Sequence, residues 1–377
     1  MTERKHYAEI LEGLKQCFPA PTSNPVMDGY FLYTIAHFID RIDHLKGAAP
    51  LLGGPVEGRI SEGSTQFPDG ICKVEAVIER LVEYCRGMTL WSHPNFQAQV
   101  VPPPTVTSIT AVMAAAIFNP NMVEDEASAR FAEAEQQVVS LVSELVGYDP
   151  ARSGGLFTFG GTGTILYGCK VAIERISGGR TMHEGIREDF KIVTSDCAHY
   201  SRLNVAGWLG LGTRNIITIP TNRDNEMSLT DLEAALRRAF ERGEKIAAII
   251  ATTGTTDALG IDDVGAIVQL RDRLAAEFGV PPPHVHADAA IGWVWAAFRD
   301  YDFDGNALGF HARTVRSLRD SWGRMAGLIL ADSIGIDFHK TGYAPYVSSL
   351  FLLRERDQLK RLSRRTDEMP YLDQLGR

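Results

Sequence analysis

Between residues 156 and 290 of this 377-residue sequence, apolar β-type runs alternate with segments of helical character, and no other feature restricts the fold as much. The runs are LFTF (156–159), KIVTS (191–195), NIITI (215–219), IAAIIATT (246–253) and HVHADAA (284–290), and a further apolar strand, VSSLFLL (347–353), follows. One intervening helix opens at TDLE, where Thr230 and Glu233 have capping-box spacing, and ends near Gly243. Ahead of the first run, Phe131, Val138, Val139, Val142, Leu145 and Val146 recur at helical spacing over 124–146, with Gly147 as the stop. Strands alternating with helices predict an α/β fold: a mainly parallel sheet between helices, whose ligands gather at the carboxyl ends of the strands. With 45% hydrophobic and 23% charged residues the chain can bury the core such a sheet requires.

The first hundred residues, with a Gly and Pro cluster at 50–55 and a Pro cluster just beyond them at 102–104, read as a loop-rich arm that packs on something else. The expected division is an arm over 1–100, a large domain over 101–355 and the start of a further region over 356–377. A net charge of -9 gives no electrostatic reason to expect nucleic acid or an anionic membrane as partner. The charged amino terminus has no apolar leader, and no run reaches the roughly 18 apolar residues of a membrane span, so a soluble cytoplasmic protein is expected. Five cysteines, at 17, 72, 85, 169 and 197, contain no C-x-x-C pair and suggest neither a disulfide framework nor a cysteine metal site.

Five polar segments fall near strand ends. In FGGTGTILYG (159–168) a strand passes through glycines into a helix, where backbone N–H groups at the helix start and the hydroxyls of Thr162 and Thr164 could meet a phosphate; Leu166 stands where a dinucleotide fingerprint needs its third glycine. TSDCAHYS (194–201) places His199 just inside the next helix, suited to lying against a planar ring or moving a proton, though a lone histidine is commonly structural. ATTGTT (251–256) puts Thr252 at the end of a buried strand, where threonine is also an ordinary strand residue. His284, His286 and Asp288 alternate along HVHADAA, so they share one face of a strand, as ligands of a catalytic metal would; Asp288, followed by two alanines, equally suits a flat organic ring. In ADSIGIDFHKTGYAP (331–345), Lys340 stands in an apolar and aromatic setting whose desolvation should lower its pKa and favour the amine that forms imines.

Taken together, HPNF (93–96), FTFGGTGT, SDCAHYS, ATTGTT, HADAA and DFHK, spread from about Trp91 to the carboxyl end, resemble the group II pyridoxal-phosphate amino-acid decarboxylases, which act on aromatic amino acids, histidine, glutamate or diaminobutyrate. The resemblance implies an aspartate-aminotransferase-like large domain and pyridoxal 5'-phosphate as cofactor. It makes Lys340 the Schiff-base lysine, Asp288 the partner of the ring nitrogen and His199 the residue stacked on the ring. Gly161 and Thr162 would hold the phosphate with help from His339, Thr252 would lie beside the ring, and His93, Phe96 and Gln97 would line the substrate pocket. Lys340, His199 and Asp288 are thus the expected catalytic residues, with no metal. One departure stands out: the family follows its GGT or GGS with Glu-Ala or a similar pair, and this chain has Gly163 and Thr164.

The implied reaction is decarboxylation of an L-amino acid to an amine. Another lyase or an aminotransferase on the same cofactor remains open, as does a metal-dependent hydrolase built on His284, His286 and Asp288. A homodimer is expected, because family members bury such an arm against a second subunit. Members also continue into a mobile loop and a small carboxyl-terminal domain, for which this sequence has no room after YLDQLGR, so a companion carboxyl-terminal polypeptide is expected as well.

Overall fold

The computed structural model describes residues 7–15, 17–56, 70, 72–96, 100–122, 128–363 and 368. The chain divides into two compact units, residues 1–99 and 100–377. In the first, the loop-rich reading is corrected: α1 (Tyr7–Lys15), α2 (Pro25–Asp43) and α3 (Val74–Cys85) are helices. The start of α2 follows from local chemistry. The Asn24 side chain accepts hydrogen bonds from the N–H groups of Val26 and Met27, and Pro25 fills the first helical position, where a missing N–H has no partner to lose. Arg41 of α2 donates to Glu79 of α3 at 2.9 Å. Among the described residues no helix is long and apolar enough to cross a membrane.

The second unit opens with α4 (Val106–Phe118), capped by the Thr105 hydroxyl, which accepts from Ser108 N–H at 3.2 Å. This helix has no charged residue and buries no side chain; Val106 is 80% and Phe118 75% exposed. The expected long helix is α5 (Phe131–Val146), stopped at Gly147, whose φ of 90° is open to glycine at little cost. Strands and helices then alternate as β1 (Gly154–Thr158), α6 (Gly161–Ile176), β2 (Phe190–Ser195), α7 (Ser201–Trp208), β3 (Ile216–Ile219), α8 (Leu229–Glu241), β4 (Lys245–Thr252), α9 (Val264–Phe278), β5 (His284–Asp288), α10 (Ala312–Met325), β6 (Ser333–Asp337) and β7 (Ser349–Leu353). The cap of α8 is Ser228, whose hydroxyl accepts from Asp231 N–H at 3.3 Å, rather than Thr230. Glu233 is drawn instead to Arg237 and Arg273, at 3.0 and 2.9 Å.

The strands form one sheet in the order β1-β7-β6-β5-β4-β2-β3. Every pairing from β3 across to β6 is parallel, and β7 runs antiparallel to both its neighbours. Successive residues of β4 face opposite sides, as a strand's pleat requires. Ile249 and Ala251 pack with apolar residues of α5, α8 and α9, whereas Ala248 and Ile250 pack with those of α6 and α7. The sheet is therefore covered on both faces, and the carboxyl ends of its parallel strands are left to hold a ligand.

Candidate active site

The carboxyl ends of β4, β5 and β6, the segment after β2 and the amino end of α6 open on a cavity of 340 Å³, whose lining includes Gly161, Thr162, His199, Thr252, Asp288, His339 and Lys340. These residues are scattered over 180 positions of sequence and are gathered by the strand order. A larger cavity, of 590 Å³, is lined by Glu174, His183, Lys360 and Arg361 among others and contains none of the expected site residues.

Gly160, with φ of 109°, precedes α6, and no side chain caps that helix. Its first N–H groups thus point outward with the positive end of a 16-residue helix behind them. Thr162 lines the cavity, but Thr164 does not: it is fully buried and donates its hydroxyl to Gly161 O at 2.8 Å, so it shapes the turn from behind. His199 precedes α7 rather than lying inside it. Its Nδ1 accepts from Ser201 N–H at 3.2 Å and lies 2.8 Å from Ser201 Oγ. Burial, and next the charge of Lys340, push its pKa below the ordinary value and favour the neutral ring. Thr252 keeps its backbone N–H on Asp262 at 2.7 Å, while its Oγ1, buried in the cavity wall, has no hydrogen-bond partner among the described residues.

Asp288 ends β5 with its carboxylate buried; Ala290 N–H donates to it at 3.3 Å. Burial pushes its pKa up to about 6 against the opposing pull of Lys340. Lys340 lies in the helical turn Phe338–Thr341 directly after β6. Phe338 anchors that turn by packing on Phe157 and Trp293, with ring centroids 5.9 and 5.3 Å away, and Thr341 donates its hydroxyl to Ile291 O at 3.0 Å. The amine lies 3.0 Å from Asp337 Oδ2. Burial works to lower the pKa of Lys340 as expected, but Asp337 and then Asp288 raise it by more, so in this state the group is an ammonium ion with a pKa above the ordinary 10.5. The expectation of a depressed lysine is corrected on that point. His339 is buried, with Nδ1 2.9 Å from Ser348 O and its ring against Tyr346 at a centroid distance of 3.8 Å.

Asp337 is the site residue that sequence reasoning missed. SIGID carries a polar or glycine residue at every second position and was not read as a strand, which hid the parallel between Asp337 at the end of β6 and Asp288 at the end of β5. His93 and Phe96 belong to the first unit, where His93 Nε2 lies 3.1 Å from Gly47 O and Phe96 packs edge-on against Trp91; Gln97 lies outside the described residues. The metal arrangement does not form. His284 Nε2 and His286 Nδ1 each lie 2.8 Å from the same Ser333 Oγ, neither ring lines the cavity with Asp288, and the described residues contain no group of three His, Cys, Asp or Glu placed to hold a metal.

These side chains fit a planar, phosphate-bearing, cationic ring. An uncapped helix start suits the phosphate, a buried carboxylate with a single N–H donor suits a ring N–H⁺, and a threonine whose buried hydroxyl lacks a partner lines the same cavity as the lysine.

Comparison with known proteins agrees with this fit. The chain is 26% identical over 297 residues to L-2,4-diaminobutyrate decarboxylase of Acinetobacter baumannii, covering 75% of this chain and 53% of that protein. It is 29% identical over 275 residues to the enzyme of the same name from Rhizobium meliloti, covering 73% and 48%. This chain thus spans about half the length of the curated relatives it matches. Its fold matches the glutamate decarboxylase domain of diaminobutyrate-pyruvate transaminase and L-2,4-diaminobutyrate decarboxylase from Vibrio parahaemolyticus with a TM-score of 0.75 and 22% identity, over 95% of this chain and 73% of that one. Residues 62–374 match the pyridoxal-dependent decarboxylase conserved domain, and the chain belongs to that family.

Proposed function

We propose that this protein decarboxylates an L-amino acid to the corresponding amine with pyridoxal 5'-phosphate, using Lys340 as the covalent anchor of the cofactor. The observation that carries the reading is the convergence of Lys340 and Asp288 on one cavity with the uncapped start of α6. When bound, the cofactor supplies a conjugated ring that accepts the electron pair left by a departing carboxylate. The chain's own residues would do the rest. Asp288 would hold a proton on the ring nitrogen, and that ion pair would relieve the burial that keeps its pKa high. The first N–H groups of α6, with Thr162 and His339, would fix the phosphate. His199, held by Ser201, would lie over the ring, and Thr252 would give its free hydroxyl from the side. The relatives named for 2,4-diaminobutyrate support a short diamino acid as the first substrate to test.

The test is spectroscopic and chemical. Protein loaded with the cofactor should show a visible band that vanishes on borohydride reduction, with the mass increment on the Lys340 peptide, and 2,4-diaminobutyrate or another common amino acid should release carbon dioxide. Loss of amine without carbon dioxide would move the reading to an aminotransferase. We also propose a homodimer in which α4, uncharged and without a buried side chain, packs the apolar residues of its second half against a second copy. A light-scattering mass of one chain at micromolar concentration would contradict this.

A further inference from the structure

Asp337 has no part in the chemistry above, yet it is the residue in contact with the lysine amine. Its Oδ2 lies 3.0 Å from Lys340 Nζ and its Oδ1 accepts from Ser349 Oγ at 2.6 Å. The side chain is 1% exposed. The backbone beneath it is fixed by pairing with Ser349 across β6 and β7 and by the indole N–H of Trp293, which donates to Asp337 O at 3.3 Å. A Cβ on Gly161 would come within 2.8 Å of Oδ2, so the bare glycine of the loop is what leaves the carboxylate its place. Asp288 acts on Lys340 through space, and less strongly than Asp337 does.

On the assignment of Lys340 as the cofactor anchor, we infer that Asp337 is a positioning residue that clamps the Lys340 amine as an ammonium ion in the cofactor-free protein and governs its release for bonding to an aldehyde. The bond requires a lone pair on Nζ. One proton leaves the ammonium group, nitrogen attacks the aldehyde carbon, the carbonyl oxygen departs as water, and the resulting C=N nitrogen takes a proton back. Net, the ammonium ion and the aldehyde become a protonated imine and one water. The single positive charge is retained, so Asp337 has a cationic partner before and after. The groups facing Nζ are Asp337, Asp288 and Tyr346, which favour its charge, and His199, whose own protonation Lys340 opposes; His339 Nε2 stands 3.7 Å from Asp337 Oδ2. Asp337 is the one held from behind by Ser349 and in direct contact in front.

The test uses the full chain freed of cofactor. Pyridoxal 5'-phosphate is added at a series of pH values, borohydride is added at timed intervals, and the modified Lys340 peptide is quantified by mass spectrometry to give a capture rate at each pH. In the wild type the rate should rise tenfold per pH unit up to a midpoint above 10.5, the ordinary lysine value. In Asp337→Asn, which keeps an acceptor for Ser349 but loses the charge, the midpoint should fall by a unit or more, making capture at pH 7.5 at least tenfold faster. Coincident profiles for the two proteins would overturn the inference. A wild-type midpoint at or below 10.5 would overturn it as well, and that measurement decides the matter if Asp337→Asn does not fold. Modification at other lysines, with none at Lys340 at any pH, would remove the anchor assignment itself, an outcome distinct from a failed pH shift.

Discussion

Replacing His286 by asparagine should make the protein less sensitive to acid than the wild type. His284 and His286 are buried in the sheet, sharing the Ser333 hydroxyl, and burial pushes their pKa values down from 6.5 to about 4 and about 3. A base with a depressed folded-state pKa carries no penalty above its unfolded value. Below 6.5 the unfolded chain alone binds the proton, which favours unfolding by about 1.4 kcal/mol per pH unit, or about 2 kcal/mol per histidine at pH 5. Asp262 and Asp288 act in the opposite direction. Burial pushes their carboxyls up from 3.8 to about 7 and about 6, so the folded state takes their protons first and gains about 4 kcal/mol between them by pH 5. Wild-type stability should therefore stay nearly level from pH 7.5 to 5, with the histidine contribution hidden. Asparagine retains a polar atom for Ser333 but does not titrate. Its smaller volume costs about 1–3 kcal/mol at both pH values, and relative to the wild type it should regain about 2 kcal/mol at pH 5. Urea unfolding of the cofactor-free chain, followed by tryptophan fluorescence at the two pH values, measures this. A wild-type-to-variant gap that is the same at pH 5 as at 7.5, within about 0.5 kcal/mol, would refute the claim that the buried imidazole stays neutral in acid.

Asp288→Ala should bind the cofactor weakly and turn over slowly by orders of magnitude, while the cofactor-free protein keeps its stability, because the carboxylate removed is buried with one N–H donor; a lower urea midpoint for the cofactor-free variant would contradict the second half. Gly168→Ala would set a methyl group 2.7 Å from His286 Nδ1. The overpacking should cost about 1–3 kcal/mol, partly offset by about 1 kcal/mol of helix propensity, and a midpoint above wild type would show that the ring can move aside. Lys340→Ala should lose the borohydride-fixed mass increment and leave Asp337 without its cation, so the cofactor-free variant should unfold about 3 kcal/mol more easily in urea, and a midpoint equal to wild type would contradict this.

Much of this was legible in the sequence where one cause dominated. Continuous apolar runs such as IAAIIATT become strands buried on both faces, because nothing in them favours water. The order of polar residues at strand ends identified Lys340, Asp288 and His199 as candidates, and parallel strands carry such ends to one edge. The failures came where tertiary contacts decide. SIGID is a central strand because Ser333 satisfies two buried imidazoles and Asp337 is satisfied by Ser349 and Lys340, partners that no local pattern displays. The state of the Lys340 amine was misjudged for the same reason. An apolar neighbourhood in sequence argues for a neutral amine, and two carboxylates brought in by the fold reverse it. In the first unit Asn24-Pro25 is a local helix start, and the glycines and prolines further along do not interrupt the helices on either side of them.

The placement of β7 has a consequence for how the molecule comes together in time. It lies between β1 and β6, and its ladder with β1 joins Gly154 to Leu353, so the first strand finds its described partner only in the last. Closing a loop of that length is entropically late, whereas β4, β5 and β6 are neighbours in both sequence and sheet. Pulsed hydrogen exchange during refolding should show the amides of β1 and β7 gaining protection together, after those of β4 and β5; protection of β1 ahead of β7 would contradict this order. The glycine turn leading into α6 is suspended from β1. A refolding chain therefore builds the strands that carry Asp288 and Thr252 before it builds the cradle for an anion, and cofactor capture reports on the final step of folding.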